Sequence, residues 1–350
     1  TFGGTIDGIG QFYFRQKKYD KAIKMFEDSV RIARKLGNEG STSVSLFNIG
    51  WTYYELKNYK MAAKSFLESV NIIEKLRKTA TGATRRDYIA RQIAMYQYLT
   101  SAYVREKNFP KAFNAIELSR ARFLAEQIAG SEKDILIPSL NEMQRTLSGD
   151  SAVIMYANMN LNNKVMMVVT KDEAYGIEFS SFALYDSKWT NYIEETNSEL
   201  EKQRGLNIVD RDKAQETAFE IKPACSCEAI INYYRALLIA SGHESRGLAI
   251  RKRQHGKTSD DEIKELAKLL YNIFVKPLEE KLKGKTNLLI ITDGPLGFMP
   301  LETLIDESGR YMVEKYHITY VQSMGVMDLI KKRRYEDNRK PLLAFGGAVY

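Results

Sequence analysis

Cysteine is almost absent: Cys225 and Cys227 are the only two in 350 residues, and a single residue separates them. A disulfide framework is thereby excluded, and a reducing cytoplasm is the compartment to expect. Long hydrophobic runs are missing as well. The longest candidates, Val165–Thr170 and Leu288–Thr292, are strand-sized, against the ~20 apolar residues a membrane helix needs, so no membrane partner is expected. Neither an initiator Met nor a signal-peptide pattern opens the chain; Thr-Phe-Gly-Gly-Thr-Ile-Asp reads as a helix entered partway through, the mark of a fragment. No glycine-rich phosphate loop occurs, since Gly346-Gly347 is too short to count. No cofactor is expected.

What is present suits a folded, two-domain chain. Hydrophobic residues make up 44% and charged residues 27%, and 21 Tyr with 15 Phe are ample for cores, which excludes general disorder. The net charge is +8, with basic clusters at Arg15–Lys18, Arg251–Arg253 and Lys331–Arg334. Such a balance permits contact with an acidic partner or with nucleic acid through counterion release. No base-reading motif accompanies the clusters, so most read as solvated faces and direct nucleic-acid binding is not expected.

Self-similarity is the strongest signal. Three segments share one pattern anchored on Lys-Lys-Tyr (17–19), Lys-Asn-Tyr (57–59) and Lys-Asn-Phe (107–109). The first carries Ile6, Ile9, Gly10, Tyr13, Ala22 and Phe26; the second carries Leu46, Ile49, Gly50, Tyr53, Ala62 and Phe66 at the same offsets. The third carries Tyr96, Leu99, Thr100, Tyr103, Ala112 and Ile116. Small residues at the Gly and Ala positions let two antiparallel helices meet. The Tyr positions fill the wider end, and Phe26, Phe66 and Ile116 pack onto the next repeat. One hairpin cannot bury its apolar face alone, so stacking completes the core.

Six recurring positions resemble the tetratricopeptide repeat, with helical hairpins expected at about 1–37, 41–77 and 91–129. The chain departs from that pattern in three ways: no Pro closes a repeat, the anchors are spaced by 40 and then 50 residues, and Thr100 replaces Gly. Longer second helices and a loop at Lys78–Arg86 account for the spacing. The resemblance implies a groove lined by each first helix: Gln11, Phe14 and Arg15; Phe47, Trp51, Tyr54 and Glu55; Gln97, Ser101, Val104 and Arg105. Aromatics beside Arg suit a protein-docking hot spot. Packing of Trp51 and Tyr54 against neighbouring repeats explains them equally well.

Past Phe113 a helix runs to Gly130, followed by a short helix at Ser139–Leu147 in which Ser139 and Glu142 form a capping-box pair. Then the period changes. Strands are expected at 152–157, 164–170 and near 175–182, the first two joined by an Asn-rich turn at Asn158–Asn163. A helix is expected at 186–204. Residues 205–262 read as a charged insertion around one helix, Glu228–Ala240. An amphipathic helix at Asp260–Leu282 leads to a strand at 287–292, the turn Asp293-Gly294-Pro295, and a short helix begun by Pro300. A strand at 317–323 ends on Ser323, which caps a helix at Val326–Arg334, and a last strand follows at 342–348. That strand–helix–strand order implies a parallel right-handed unit.

The succession Pro277-Leu278, Leu-Ile-Ile-Thr-Asp-Gly-Pro-Leu-Gly-Phe-Met-Pro-Leu-Glu-Thr-Leu (289–304), Gly309–Met312 and the strand to Ser323 resembles the CHAT domain, a relative of caspases and separase. The similarity spans about 130–350. The fold class it implies is an α+β two-part chain, an all-α repeat solenoid followed by a caspase-like three-layer α/β domain, incomplete at its C-terminus. The family's chemistry is a His–Cys dyad, in which a thiolate attacks the scissile carbonyl and the imidazole protonates the leaving amine. Both residues are expected beyond Tyr350, so no catalytic residue is assigned in this chain.

The residues present do not replace them. His317 opens a strand and reads as structural. Cys225, Cys227, His243 and His255 lack the tight paired spacing of a zinc site, and no metal is expected. Asp293, Pro300, Glu302 and Ser323 match the family motif, and turn and cap chemistry explains each. The resemblance further implies a protein substrate and a regulatory protein partner on the repeats; in one branch of the family the partner is an RNA-guided CRISPR effector ribonucleoprotein. Two other classes stay open: a non-catalytic scaffold or adaptor, and a basic module contacting an RNA–protein complex.

Overall fold

The computed structural model describes residues 2–79, 95–129, 138–158, 163–180, 227–242 and 260–332. The expected helix at 186–204, the strand at 342–348 and most of the 205–262 insertion lie outside them. The chain divides into two compact units. One comprises Thr1–Thr146 with Asp172–Glu178 and Gln322–Lys331; the other comprises Leu147–Lys171, Phe179–Val321 and Lys332–Tyr350.

The first unit is three helical hairpins: α1 (Phe2–Arg15) with α2 (Tyr19–Lys35), α3 (Glu39–Glu55) with α4 (Tyr59–Thr79), and α5 (95–105) with α6 (Phe109–Ala129). Each hairpin turns identically. Lys17, Lys57 and Lys107 all sit in the left-handed region, at φ of 58°, 60° and 60°. Their N–H groups return to Phe14, Tyr54 and Val104, and the next residues' N–H groups return to Tyr13, Tyr53 and Tyr103. That paired pattern is a Schellman ending. Asn58 and Asn108 then cap the following helices, accepting from Met61 and Lys111 at 3.3 and 3.4 Å. A left-handed conformation disfavours any residue with a Cβ. Lys57→Gly is therefore expected to stabilise the chain by up to about 1 kcal/mol, read as a higher urea midpoint.

Gly10 and Gly50 are required by a close approach, and the nearest side chain to each is an aromatic. A Cβ on Gly10 would lie 2.5 Å from the Phe26 ring, and one on Gly50 would lie 2.6 Å from Phe66. The glycines therefore make room for the Phe of their own second helix. Phe26 also reaches the next repeat, clustering with Val30, Leu46 and Ile49. The stack carries a serine seam: Ser45 meets Ser29 of the preceding hairpin at 3.0 Å, and Ser43 meets Ser69 within its own hairpin at 2.9 Å. Asp7 accepts from the Ser45 hydroxyl through both oxygens, and burial lifts its carboxyl above the ordinary value against the pull of Ser45 and Ser29.

Helix α7 (Leu140–Thr146) starts with the expected capping box, Ser139 N–H donating to Glu142 at 2.7 Å and Glu142 N–H to Ser139 Oγ at 3.3 Å. The sheet holds β1 (Ser151–Ala157), β2 (Asn163–Thr170), β3 (Ala174–Ser180), β4 (Asn287–Ile291) and β5 (His317–Tyr320), in the order β3-β2-β1-β4-β5. β1 pairs antiparallel with β2 and parallel with β4, placing Ile154 beside Val168 and Ile290; β4 pairs parallel with β5. All seven residues of β1 are buried, which is why its sequence is unbroken apolar rather than alternating.

Helix α8 (Cys227–Gly242) matches the helix read inside the insertion. The helix expected over 260–282 is broken: α9 spans Asp260–Phe274 and a 3₁₀ segment follows at Lys276–Leu282. Pro277 is the cause, because it has no N–H to give the Ile273 carbonyl and its ring crowds that carbonyl, so the next donor, Leu278 N–H, also leaves its α-helical acceptor Phe274. Leu278 N–H goes to Val275 instead, and the Tyr156 hydroxyl donates to Phe274 O at 2.9 Å. Tyr156 is fully buried. Tyr156→Phe leaves that carbonyl without its donor, and a loss of about 1–3 kcal/mol is expected by chemical denaturation.

Candidate functional site

The residues expected to line the repeat groove fall into two groups. Gln11 and Arg15 in repeat 1 and Glu55 in repeat 2 face solvent, and Phe14 is half-buried against Tyr19, ring centroids 5.5 Å apart. The others form a packed aromatic ladder. Phe47 meets Phe66 and Tyr98, both at 5.3 Å. Trp51 lies parallel to Tyr54 at 6.1 Å and edge-on to Tyr98 at 4.6 Å. Tyr54, Ser101 and Val104 are buried, and Gln97 is half-buried. Trp51 packs on Tyr98 of the next repeat, while the Tyr54 ring meets Trp51 and Tyr59 of its own.

Sequence reasoning missed Glu178. Its carboxylate accepts from Tyr54 Oη at 2.5 Å and from Arg105 Nε and Nη2 at 3.2 and 3.3 Å. Burial and the Glu178 charge raise the Tyr54 phenol well above its usual range, and the hydrogen bond to Glu178 holds the Arg105 guanidinium protonated. The only signal was a lone Glu inside the apolar strand Ala-Tyr-Gly-Ile-Glu-Phe-Ser, where an inward-facing charge needs a partner.

A second missed carboxylate is Glu117 on α6, with no exposed surface. It accepts from Ser323 Oγ at 2.8 Å, Gly325 N–H at 2.8 Å and Met324 N–H at 3.3 Å. These are the orphan donors at the start of α10 (Met324–Lys332). Ser323 also caps that helix, accepting from Val326 N–H at 3.1 Å, so the expected cap is found while the helix begins two residues earlier than expected.

The other motif residues hold a turn-rich block between β4 and β5. Asp293 precedes the 3₁₀ turn Gly294–Phe298 in an extended conformation. Pro300 is the residue before the short 3₁₀ helix Leu301–Thr303 rather than its first helical residue. Its carbonyl accepts from Thr303 Oγ1 at 2.7 Å. Tyr320 on β5 closes the block, accepting Leu301 N–H at 2.9 Å and donating to Glu302 at 2.6 Å. Tyr234 on α8 reaches Thr303 Oγ1 at 2.9 Å, and burial pushes its phenol up to about 12. Asp306 is buried and accepts from Ser308 Oγ, Arg310 N–H and Lys315 Nζ at 2.6, 3.0 and 2.9 Å. Burial would lift its carboxyl, but those donors outweigh it and hold the group well below the usual range. His317 is exposed at the start of β5, and its N–H donates to Thr286 O at 2.8 Å.

Residues 4–75 match the family model described as tetratricopeptide repeat, and residues 264–350 match that described as CHAT domain. The chain's N-terminal segment is similar to tetratricopeptide repeats and its C-terminal segment to a CHAT domain. It is a two-part molecule, helical repeats followed by a mixed α/β region with a five-stranded sheet. Among solved structures it is similar to BtubC (BKLC) from P. vanneervenii, at 18% identity and a TM-score of 0.29, covering 41% of this chain and 51% of that one. It is also similar to a signal transduction ATPase with numerous domains, bearing a tetratricopeptide repeat sensor, from Pyrococcus horikoshii. There the identity is 18% and the TM-score 0.26, with 37% of this chain and 21% of that one covered. The chain thus spans about half the length of the first and a fifth of the second, and neither score supports an argument. No curated protein matches.

The CHAT match contains the whole 293–325 block, so Asp293, Pro300, Glu302 and Ser323 lie inside it. Among the described residues no group of three His, Cys, Asp or Glu stands ready to hold a metal ion, and Cys225, His243 and His255 lie outside them. Among the same residues no helix is long and apolar enough to cross a membrane.

Proposed function

We propose that this chain is the repeat-bearing part of a caspase-like cysteine endopeptidase, with a repeat face that docks a regulatory protein whose binding controls proteolysis. On this reading residues 1–129 are the docking array and 130–350 the first part of the CHAT domain, with an insertion at about 205–262. The observation that carries it is the joint presence of a tetratricopeptide match at 4–75 and a CHAT match at 264–350 on one chain. A repeat array supplies an extended protein-binding surface, and the CHAT family supplies the expectation of a protein substrate and a His–Cys dyad. The specific partner class is an RNA-guided effector ribonucleoprotein in the cytoplasm.

On this reading the dyad is expected in sequence beyond Tyr350. Reading the gene onward should give a strand–His–Gly segment and then a Ser-Ala-Cys segment. In the full-length protein, replacing that Cys with Ala should abolish the appearance of new protein N-termini in a lysate while leaving partner binding intact. A reading frame without those segments would favour the scaffold reading instead. Loss of partner binding on reversing the charges at Arg15, Lys17 and Lys18, with the same loss when the wild-type complex is treated with ribonuclease, would favour the RNA-contacting module.

A further inference from the structure

Lys17, Lys57 and Lys107 are not explained by packing. Each occupies the left-handed position of its hairpin turn, where a Cβ is disfavoured and glycine fits better. All three are exposed, so no buried contact offsets that conformation, yet lysine stands there in every repeat. A disfavoured conformation kept three times over points to a use for the side chain itself.

The charge around these lysines is lopsided. Segments 15–21, 55–61 and 105–111 hold nine Lys and Arg against three Asp and Glu. Arg105 is neutralised by Glu178. The other eight cations outnumber the acids by five, within a chain whose whole net charge is +8. Among the described residues none of those eight forms an ion pair: Lys18 donates to the Gln16 amide, and Lys21 and Lys111 stand over the Tyr13 and Tyr103 rings at 5.7 and 5.6 Å. Second-helix cations are treated differently, Arg34 pairing with Glu68, Lys75 with Glu39 and Arg31 with Asp28.

Stacking brings the turns into line. Arg105 at the third turn lies over the Tyr59 ring of the second at 5.9 Å, and Tyr13 beside the first turn packs on the cluster that holds Leu46 and Ile49 of the second repeat. Neighbouring helices stand roughly 10 Å apart, so the lysines form a row of positive charge along one edge of the array. No sequence cluster announces this row, because its members are 40 and 50 residues apart. An ammonium is a mobile point charge that neutralises a phosphate without the planar fork by which Arg reads a carboxylate. Lysine is depleted from protein–protein interfaces, whereas a row of it suits the repeating charge of a nucleic-acid backbone, where affinity comes from counterion release.

We propose that the turn edge of the repeats binds the phosphate backbone of nucleic acid without regard to sequence, through Lys17, Lys57 and Lys107 and the cations beside them. This surface lies on the turns rather than along the first-helix groove, and its use is independent of any peptidase activity.

The probe is a labelled single-stranded RNA of mixed sequence, about 20 nucleotides long, titrated into the whole chain by fluorescence anisotropy at several salt concentrations. Log affinity should fall linearly with log salt, and a scrambled sequence should bind equally well. Lys17→Gly, Lys57→Gly and Lys107→Gly in one chain remove three phosphate contacts. The slope should become shallower by about 2, and affinity should drop about a hundredfold at about 0.1 M salt. Because glycine suits the left-handed position, the same variant should melt no lower than wild type, which separates lost charge from lost fold. Arg31→Gln, Arg34→Gln and Lys75→Gln together remove equal charge from the paired face and should leave the slope unchanged. Absence of RNA binding by wild type, an unchanged slope in the glycine variant, or equal losses in the two variants would overturn the proposal. Tighter binding of polyglutamate than of the RNA would overturn it as well and assign the edge to an acidic protein.

Discussion

Gly50→Thr should lower the urea midpoint strongly, and Phe66→Ile in the same chain should restore most of the loss. A Cβ at position 50 meets Phe66 at 2.6 Å, and the ring has no room to retreat. It is fully buried, with Phe47 at 5.3 Å and Tyr98 at 6.0 Å. Overpacking of this kind costs about 1–3 kcal/mol or more, while the helix propensity gained on leaving Gly is only a few tenths. The third repeat already contains the compensated pair: Thr100 stands at the Gly position and Ile116 at the Phe position, both buried. A β-branched residue on the first helix is matched by a smaller one on the second, keeping the volume of the pair close to constant. A double-mutant cycle should therefore give a favourable coupling of about 1–3 kcal/mol; additivity within error would mean that the two positions do not share one space.

Glu117→Ala should cost about 3 kcal/mol or more, because it strands three donors that have no access to water: the Ser323 hydroxyl and the Met324 and Gly325 N–H groups. Hydrogen exchange at 323–327 should rise in step. Glu117→Gln keeps one acceptor oxygen and should lie between. The pH dependence has an uncommon sign. Burial raises the Glu117 carboxyl above its ordinary value of 4.5, against the pull of Gly325, Ser323 and Met324. A raised acid binds its proton more tightly in the folded state, so its ionisation penalty is nil below about 4.5 and grows as pH climbs from there to the folded value. The stability of wild type relative to Glu117→Gln should therefore decline over that window and level off above it. A difference that grows with pH would show that the hydrogen bonds, not burial, set the charge state.

Much of the fold is readable in the sequence because repetition multiplies a weak signal. One Lys-x-aromatic turn means little, but three with the same upstream Tyr and downstream Ala leave few alternatives. The five described strands fall within a few residues of their expected places, since each is a short apolar run bounded by polar turns. The helix over 260–282 was overextended because amphipathic spacing continues through Pro277, while the backbone cannot. Pro300 was placed one position too far into its helix for a similar reason: proline fixes φ but does not say which side of the first turn it occupies.

The groove was legible only in outline. Positions such as Trp51, Tyr54 and Arg105 are fixed by the repeat register, which is local. Their partner is not, since Tyr54 and Glu178 are 124 residues apart and nothing in either neighbourhood names the other. Glu117 and Ser323 are 206 residues apart, and a Glu within a charged helix reads as solvated until its surroundings are known.

Sequence alone determined the repeating hairpins, their identical turns, the succession of strands and the CHAT motif block, because each depends on residue size, backbone freedom and periodicity over a few turns of chain. Tertiary structure decided that Gly50 makes room for Phe66, that Tyr156 serves the Phe274 carbonyl left open where the helix breaks, and that Glu117 and Glu178 are buried and bonded. Those outcomes turn on which distant groups are excluded from water together, and a buried carboxylate has no signature until its donors have been brought to it.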